Sequence, residues 1–158
     1  MNTKSETGCC PRFNPETWEN KEINWKDKLF VKDKVKSFLH IPLNFGKVIK
    51  KNMALLEKSG AHNTDNMMLS HENSLWSSDL FIATDKPIPS ARMEKLSGNF
   101  ISKTFEGPFS NAGKWAKEIN ELAKSKGKNP KRILFWYTTC PKCAKVYGKN
   151  PVVVFAQI

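Results

Sequence analysis

A segment near residue 43 recurs near residue 109, and this repetition constrains the fold more than any other feature. Residues 43–60 read LNFGKVIKKNMALLEKSG and residues 109–127 read FSNAGKWAKEINELAKSKG. Gly46-Lys47 and Gly113-Lys114 lie 67 residues apart, as do Leu55 and Leu122, Gly60 and Gly127, and Met67-Met68-Leu69 and Leu134-Phe135-Trp136. Phe81-Ile82-Ala83 and Val154-Phe155-Ala156 lie 73 residues apart. The second copy therefore carries a short insertion ahead of its last strand. A repeated supersecondary unit of this length predicts two copies that share one architecture.

Each copy has the same grammar. In the first, Leu29 to Ile41 reads as a strand, with Val31, Val35 and Leu39 alternating against lysines. Pro42 ends it. Asn44 is placed to cap a helix whose apolar residues, Phe45, Val48, Ile49, Met53 and Leu56, follow at helical spacing. Gly60 sits where that helix should stop. Met67 to Ser70 and Asp79 to Ala83 read as strands, and Asp85 to Ser90, with Pro87 and Pro89, as a linker. The second copy repeats the order: a strand between Met93 and Phe105, a break at Gly107-Pro108, and a helix capped by Ser110 or Asn111. Its apolar face is Ala112, Trp115, Ala116, Ile119, Leu122 and Ala123, and Gly127 ends it. Ile133 to Tyr137 and Val152 to Ile158 are nearly continuous apolar runs, the pattern of strands covered on both faces.

The expected fold is thus α+β: two β-α-β-β repeats, 28–84 and 91–158, forming a mainly antiparallel sheet with both helices on one face. Residues 1–27 form an N-terminal extension. The chain of 158 residues is long enough for one real core. No apolar run is long enough to span a membrane. Met1 to Pro11 is polar and does not read as a secretory signal, so a cytoplasmic location is expected. The net charge of +11 invites a nucleic-acid reading, but only three of 26 basic residues are arginine: Arg12, Arg92 and Arg132. Base readout and bidentate phosphate clamps favour arginine. Dispersed lysines instead predict a solvated surface, and nucleic acid is disfavoured as a partner.

Two resemblances follow from particular motifs. The doubled plan, and Phe-Glu-Gly-Pro-Phe at 105–109 leading into a Trp-bearing helix, resemble the GyrI-like small-molecule-binding domains. The stretches HIPLNFGKV, SLWSSDLFIA, FEGPFSNAGKWAKE and YTTCPKCAKVYGKN resemble a bacterial family whose members carry a hydrolase designation. The GyrI-like resemblance implies a ligand cleft between two halves, lined by aromatic side chains and facing an acidic residue. Some relatives open strained rings hydrolytically with acidic residues and a tyrosine. Tyr137 matches that tyrosine, but Trp136 stands where a glutamate often precedes it.

Candidate catalytic residues are Glu72, Glu106, His40 and Tyr137. Glu72, in His71-Glu72-Asn73-Ser74-Leu75-Trp76, is either a carboxylate tuned by a nearby Trp or an exposed turn residue. Glu106 sits at the corner before the second helix, where it either caps that helix or takes part in chemistry. His40 occupies the corresponding corner of the first copy, and an acid and an imidazole at one mouth could activate water. No Gly-x-Ser-x-Gly elbow is present, so a serine hydrolase is not supported. Trp76, Trp115, Trp136 and Tyr137 are candidates to line a pocket for an aromatic or amphiphilic small molecule, with core packing the alternative for Trp115.

Cys140-Pro141-Lys142-Cys143 is a CxxC motif with Pro151 and a strand soon after it, which leaves no room for a thioredoxin-type helix. Zinc held by Cys140 and Cys143 with Cys9 and Cys10 is one reading, and inert reduced thiols or an occasional disulfide are the other. No organic cofactor is indicated. Two functions remain open: a small-molecule hydrolase using carboxylate or histidine water activation, and a non-enzymatic module that sequesters a ligand.

Overall fold

The computed structural model describes residues 14–38, 41–42, 44–64, 67–72, 76–138, 145–146, 148 and 150–158. In chain order they form strands β1 (Lys21–Phe38) and β2 (Ile41–Pro42), helix α1 (Phe45–Lys58), strands β3 (Met68–Glu72), β4 (Ser77–Ala83) and β5 (Met93–Glu106), helix α2 (Ala112–Ser125), and strands β6 (Arg132–Tyr137) and β7 (Pro151–Gln157). A short 3-10 turn, Pro15–Trp18, precedes β1. The architecture is mixed α and β with two helices and antiparallel strand pairs. The chain divides into a central unit, Trp25–Gly98, and a terminal unit built from residues 1–24 and 99–158.

In the central unit β4 lies between β1 and β3. Alternation sends Val31, Val35, Leu80 and Ile82 to one face, where Val48 and Leu56 of α1 join them with Ala61 and Ile88. Burying a side chain such as Ile82, which is fully enclosed, contributes about 1.5–3 kcal/mol relative to leaving it exposed. Asn44 does occupy the N-cap of α1, but its side chain makes no capping bond. Its Oδ1 instead accepts the Lys36 backbone N–H at 2.7 Å. At the other end Gly60 takes φ +68, the left-handed turn that halts a helix.

In the terminal unit β7 lies between β5 and β6. Val152 to Ala156 are all buried, as the continuous apolar run requires. One face of β7 and Phe135 of β6 receive Trp115 and Ile119 of α2. On the other face Trp18 meets Trp136 and Phe155 edge-on, each with ring centroids 5.6 Å apart. The Ser102 hydroxyl donates to the Trp18 carbonyl at 2.7 Å, and the Thr104 N–H donates to Glu19 at 3.0 Å. Trp18 and Glu19, both half-buried, are thereby tied to this unit's sheet.

Two expectations are corrected. Strand β1 begins at Lys21, not Leu29, because its early lysine-rich half runs beside β5; pairing overrides weak β propensity. The repeats also did not predict the pairing of β1 with β5. Within the terminal unit Asn24 donates to Asn99 at 2.7 Å. Within the central unit the Lys32 N–H donates to the Arg92 carbonyl at 2.8 Å. Finally, Glu106 does not cap α2: it ends β5 opposite Pro151, exposed, while Asn111 takes the N-cap position.

The corner before α2 depends on Gly107, whose φ is +139. A Cβ there would come within 3.2 Å of Asn111 Nδ2 and 3.6 Å of Trp115 Cζ2. Its carbonyl accepts from Asn150 Nδ2 at 2.7 Å. Gly107→Ala is expected to destabilise the fold by about 1–3 kcal/mol, read as a lower urea midpoint at unchanged slope. An unchanged midpoint would mean that the corner relaxes at no cost.

Candidate functional site

The strand pairing that builds the α1 core leaves a second face on the central unit. Phe30 lies opposite Ala83, Lys32 opposite Phe81, and Lys34 opposite Asp79. From β3, Leu69 lies opposite Phe81 and His71 opposite Asp79. This face is therefore partly charged, although its neighbours in sequence are core residues.

Asp79 is buried at 8% exposure. Its Oδ2 lies 3.8 Å from the Lys32 ammonium, which is closer to Glu94, at 3.1 Å. Its Oδ1 is buried and has no hydrogen-bond partner among the described residues. A carboxylate oxygen out of water and unpartnered is costly, and a lysine at the limit of ion-pair distance compensates it only in part. Such a group is a standing acceptor for a donor supplied by a ligand or by water. The Lys32 ammonium also lies 5.5 Å over the Phe81 ring. Phe81 meets Phe30 edge-on at 6.2 Å, and Phe30 meets Trp25 at 6.0 Å. An acid, a base and a row of rings thus share one face, with an imidazole-bearing residue directly across the strand.

A family model described as "Bacterial hydrolase" matches residues 1–158. The chain belongs to the bacterial hydrolase family. No curated protein matches it in sequence. Its fold is similar to that of an uncharacterized conserved protein from Listeria innocua, at TM-score 0.62 and 11% identity over 88% of this chain and 91% of that one. It is also similar to a hydrolase from Listeria innocua, at TM-score 0.61 and 12% identity over 89% and 91%. A third similar structure is the C-terminal domain of EcmrR, at TM-score 0.64 and 11% identity over 87% and 93%. At such identities the likeness is one of fold.

The sequence-predicted residues of this family member are dispersed. Glu72 pairs in register with Ser78, one position away from the His71–Asp79 pair. Glu106 is at the exposed end of β5 in the terminal unit. Tyr137 is half-buried and stacks on Phe135 at 6.2 Å. Trp115 and Trp136 are buried packing residues, the first stacked on Phe105 at 5.7 Å and the second against Trp18. Trp76, next to the start of β4, is 57% exposed. His40, Cys9, Cys10, Cys140 and Cys143 lie outside the described residues. Among the described residues no cluster of three metal-ligating side chains occurs, and no helix is long and apolar enough to cross a membrane. Sequence reasoning missed Asp79. Its one signal was an acid at the head of the apolar run Leu80-Phe81-Ile82-Ala83. Lys32 and Glu94 gave none.

On the α1 side of β1, Asp33 is held differently. Burial opposes its ionisation, but three donors outweigh that effect and hold its carboxyl below the ordinary carboxylate value. They are the Asn52 side chain at 2.9 Å, the Lys34 N–H at 2.8 Å and the Lys51 ammonium at 3.5 Å. A carboxyl depressed by folding contributes stability at neutral pH. That contribution disappears as pH falls from the ordinary value through the folded one. Asp33→Asn is expected to lower stability at neutral pH and to flatten the acid limb of the stability curve, measured by urea unfolding from neutral pH down to about 3. An acid limb as steep as the wild type's would assign it to other carboxylates.

Proposed function

We propose that this protein binds a small aromatic or amphiphilic molecule on the Asp79 face of the central unit and hydrolyses it. The observation that carries this reading is the buried Asp79 oxygen, unpartnered among the described residues, beside Lys32. In this reading Asp79 accepts a proton from water or orients it, and His71, its cross-strand neighbour, is the second proton-transfer group. The Lys32 ammonium steadies negative charge that develops on the substrate oxygen. Half-buried Trp25 and exposed Trp76 offer apolar surface for the body of the molecule, and the fully buried Phe30 and Phe81 back that surface from the core. Membership of the hydrolase family supports the reaction class. The two units, each running strand, helix, strand, strand, are read as copies of one β-α-β-β unit on a GyrI-like plan, which the internal sequence match supports.

A second reading, ligand sequestration without turnover, is favoured by Trp136, which stands where the GyrI-like relatives often carry a glutamate. One experiment separates the two. A panel of aromatic esters, amides and strained-ring ethers is screened by thermal shift and assayed for hydrolysis with wild type and Asp79→Asn. The variant is expected to keep its fold, with stability within about 1 kcal/mol of wild type or above it, because an isosteric amide removes a buried charge. Its turnover should be lost. Full activity in Asp79→Asn would overturn the assignment, and ligands that raise the midpoint without being consumed would establish sequestration.

We propose further that Cys140 and Cys143 hold a structural zinc ion with Cys9 and Cys10. The CxxC spacing and a strand that begins at Pro151 support it. Thiolates in all four positions would leave no site for catalytic water. Elemental analysis of protein purified without chelator should find about one zinc per chain, and a strong chelator should lower the melting temperature. Four freely titrating thiols and negligible zinc would refute it.

A further inference from the structure

The central unit carries a cavity of about 300 Å³ beside α1, which meets the Asp79 face at Lys32 and Lys34. Its walls include Asp33 of β1, Lys51, Asn52 and Leu55 of α1, and Ser90 and Arg92 of the connection from β4 to β5. The volume is at the small end of ligand sites.

That connection is a fixed element. Ile88 is fully buried in the α1 core, and Ala91 packs against the same core. The Ala91 N–H donates to the Ile88 carbonyl at 3.1 Å, and the Arg92 carbonyl accepts from the Lys32 N–H at 2.8 Å. Arg92 is therefore presented from a turn anchored on both sides. A preorganised cation loses less freedom on binding than one on a loose loop.

The charge of the cavity is unbalanced. Among the described residues Asp33 is its one lining carboxylate, and that group is already satisfied. Its Oδ1 accepts from the Lys34 N–H, and its Oδ2 accepts from Asn52 and faces Lys51. Asn52, almost wholly buried, also donates to the Val48 carbonyl at 2.8 Å, which fixes the floor. Among the described residues the Arg92 guanidinium has no carboxylate within ion-pair distance. An arginine in this chain is itself uncommon, since three of 26 basic residues are arginine. Lysine would serve a solvated surface equally well, whereas the guanidinium fork suits planar, bidentate recognition of an oxoanion.

We infer that this cavity binds a small molecule through a phosphate group. Arg92 grips two phosphate oxygens, Lys51 supplies the second positive charge, and the Ser90 hydroxyl donates a hydrogen bond. Leu55 offers apolar contact to the remainder of the molecule. A dianion matches the surplus of cations better than a monocarboxylate does. The site borders the Asp79 face through Lys32, but phosphate binding at Arg92 and Lys51 does not require the hydrolase reading.

Inorganic phosphate titrated into the isotope-labelled full chain at constant ionic strength tests this by amide chemical shifts. Saturable shifts are expected at 33–34, 51–55 and 90–92. Arg92→Ala, an exposed position where the fold should survive, should weaken binding about tenfold or more. Lys117→Ala on α2 should leave binding intact. The inference is overturned if chloride gives the same shifts, if Arg92→Ala binds as wild type does, or if Lys117→Ala weakens binding equally. Malonate binding as tightly as phosphate would overturn the phosphate assignment.

Discussion

The fixed register of β1 against β4 is the constraint on which the central unit depends. With Val31 opposite Ile82 and Asp33 opposite Leu80, one face is apolar enough to receive α1. The same register places Lys32 opposite Phe81 and Lys34 opposite Asp79 on the other face. Strand alternation has a period of two, so a slip by one residue would bury the lysines under α1 and expose the valines. Core and candidate site are held by one set of backbone hydrogen bonds, and neither can be changed without the other.

That coupling explains how an unpartnered carboxylate is tolerated. Leaving a buried polar atom unsatisfied costs about 1–3 kcal/mol, and more when it is charged. Several fully buried residues surround the position in sequence and along the sheet, including Leu80, Phe81 and Ile82. Each contributes apolar burial of similar or larger size, about 1.5–3 kcal/mol. The strand pair can therefore hold Asp79 out of water against its own preference. Asp33 presents the opposite case. It is as close to the helix as Asp79 is remote from it, and three donors keep it ionised. The two acids are separated by half the strand period and do different physical work.

The terminal unit follows the same logic with different materials. Its β7 is apolar on both faces, so each face needs a cover. Helix α2 supplies one through Trp115 and Ile119, and Trp18 supplies the other. Trp136 is thereby committed to Trp18, and Trp115 to Phe105. Aromatic residues that read as pocket lining in the sequence are spent on packing because large rings bury the most surface per residue. The exposed ion pairs of this unit, such as Lys126 with Glu22 at 3.3 Å, add little by comparison.

The sequence by itself determined the two helices, their stops at Gly60 and Gly127, the strands at 79–83, 133–137 and 152–157, and the corner at Gly107. Those are local matters: hydrophobic period, a glycine where φ turns positive, and a proline where pairing must end. Hydrolase-family membership was legible as well, because it rests on motifs spread over the whole chain. The beginning of β1 at Lys21, the pairing of β1 with β5 and the meeting of Lys32, Asp79 and Glu94 were not legible. Each depends on which strand lies beside which, and pairing partners far apart in sequence leave no periodic mark. Glu72 and His71 are adjacent in the chain, yet only the tertiary register decided that His71 and not Glu72 stands opposite Asp79. A one-residue difference is invisible to composition and spacing, but it decides the face, because successive residues of a strand point to opposite sides.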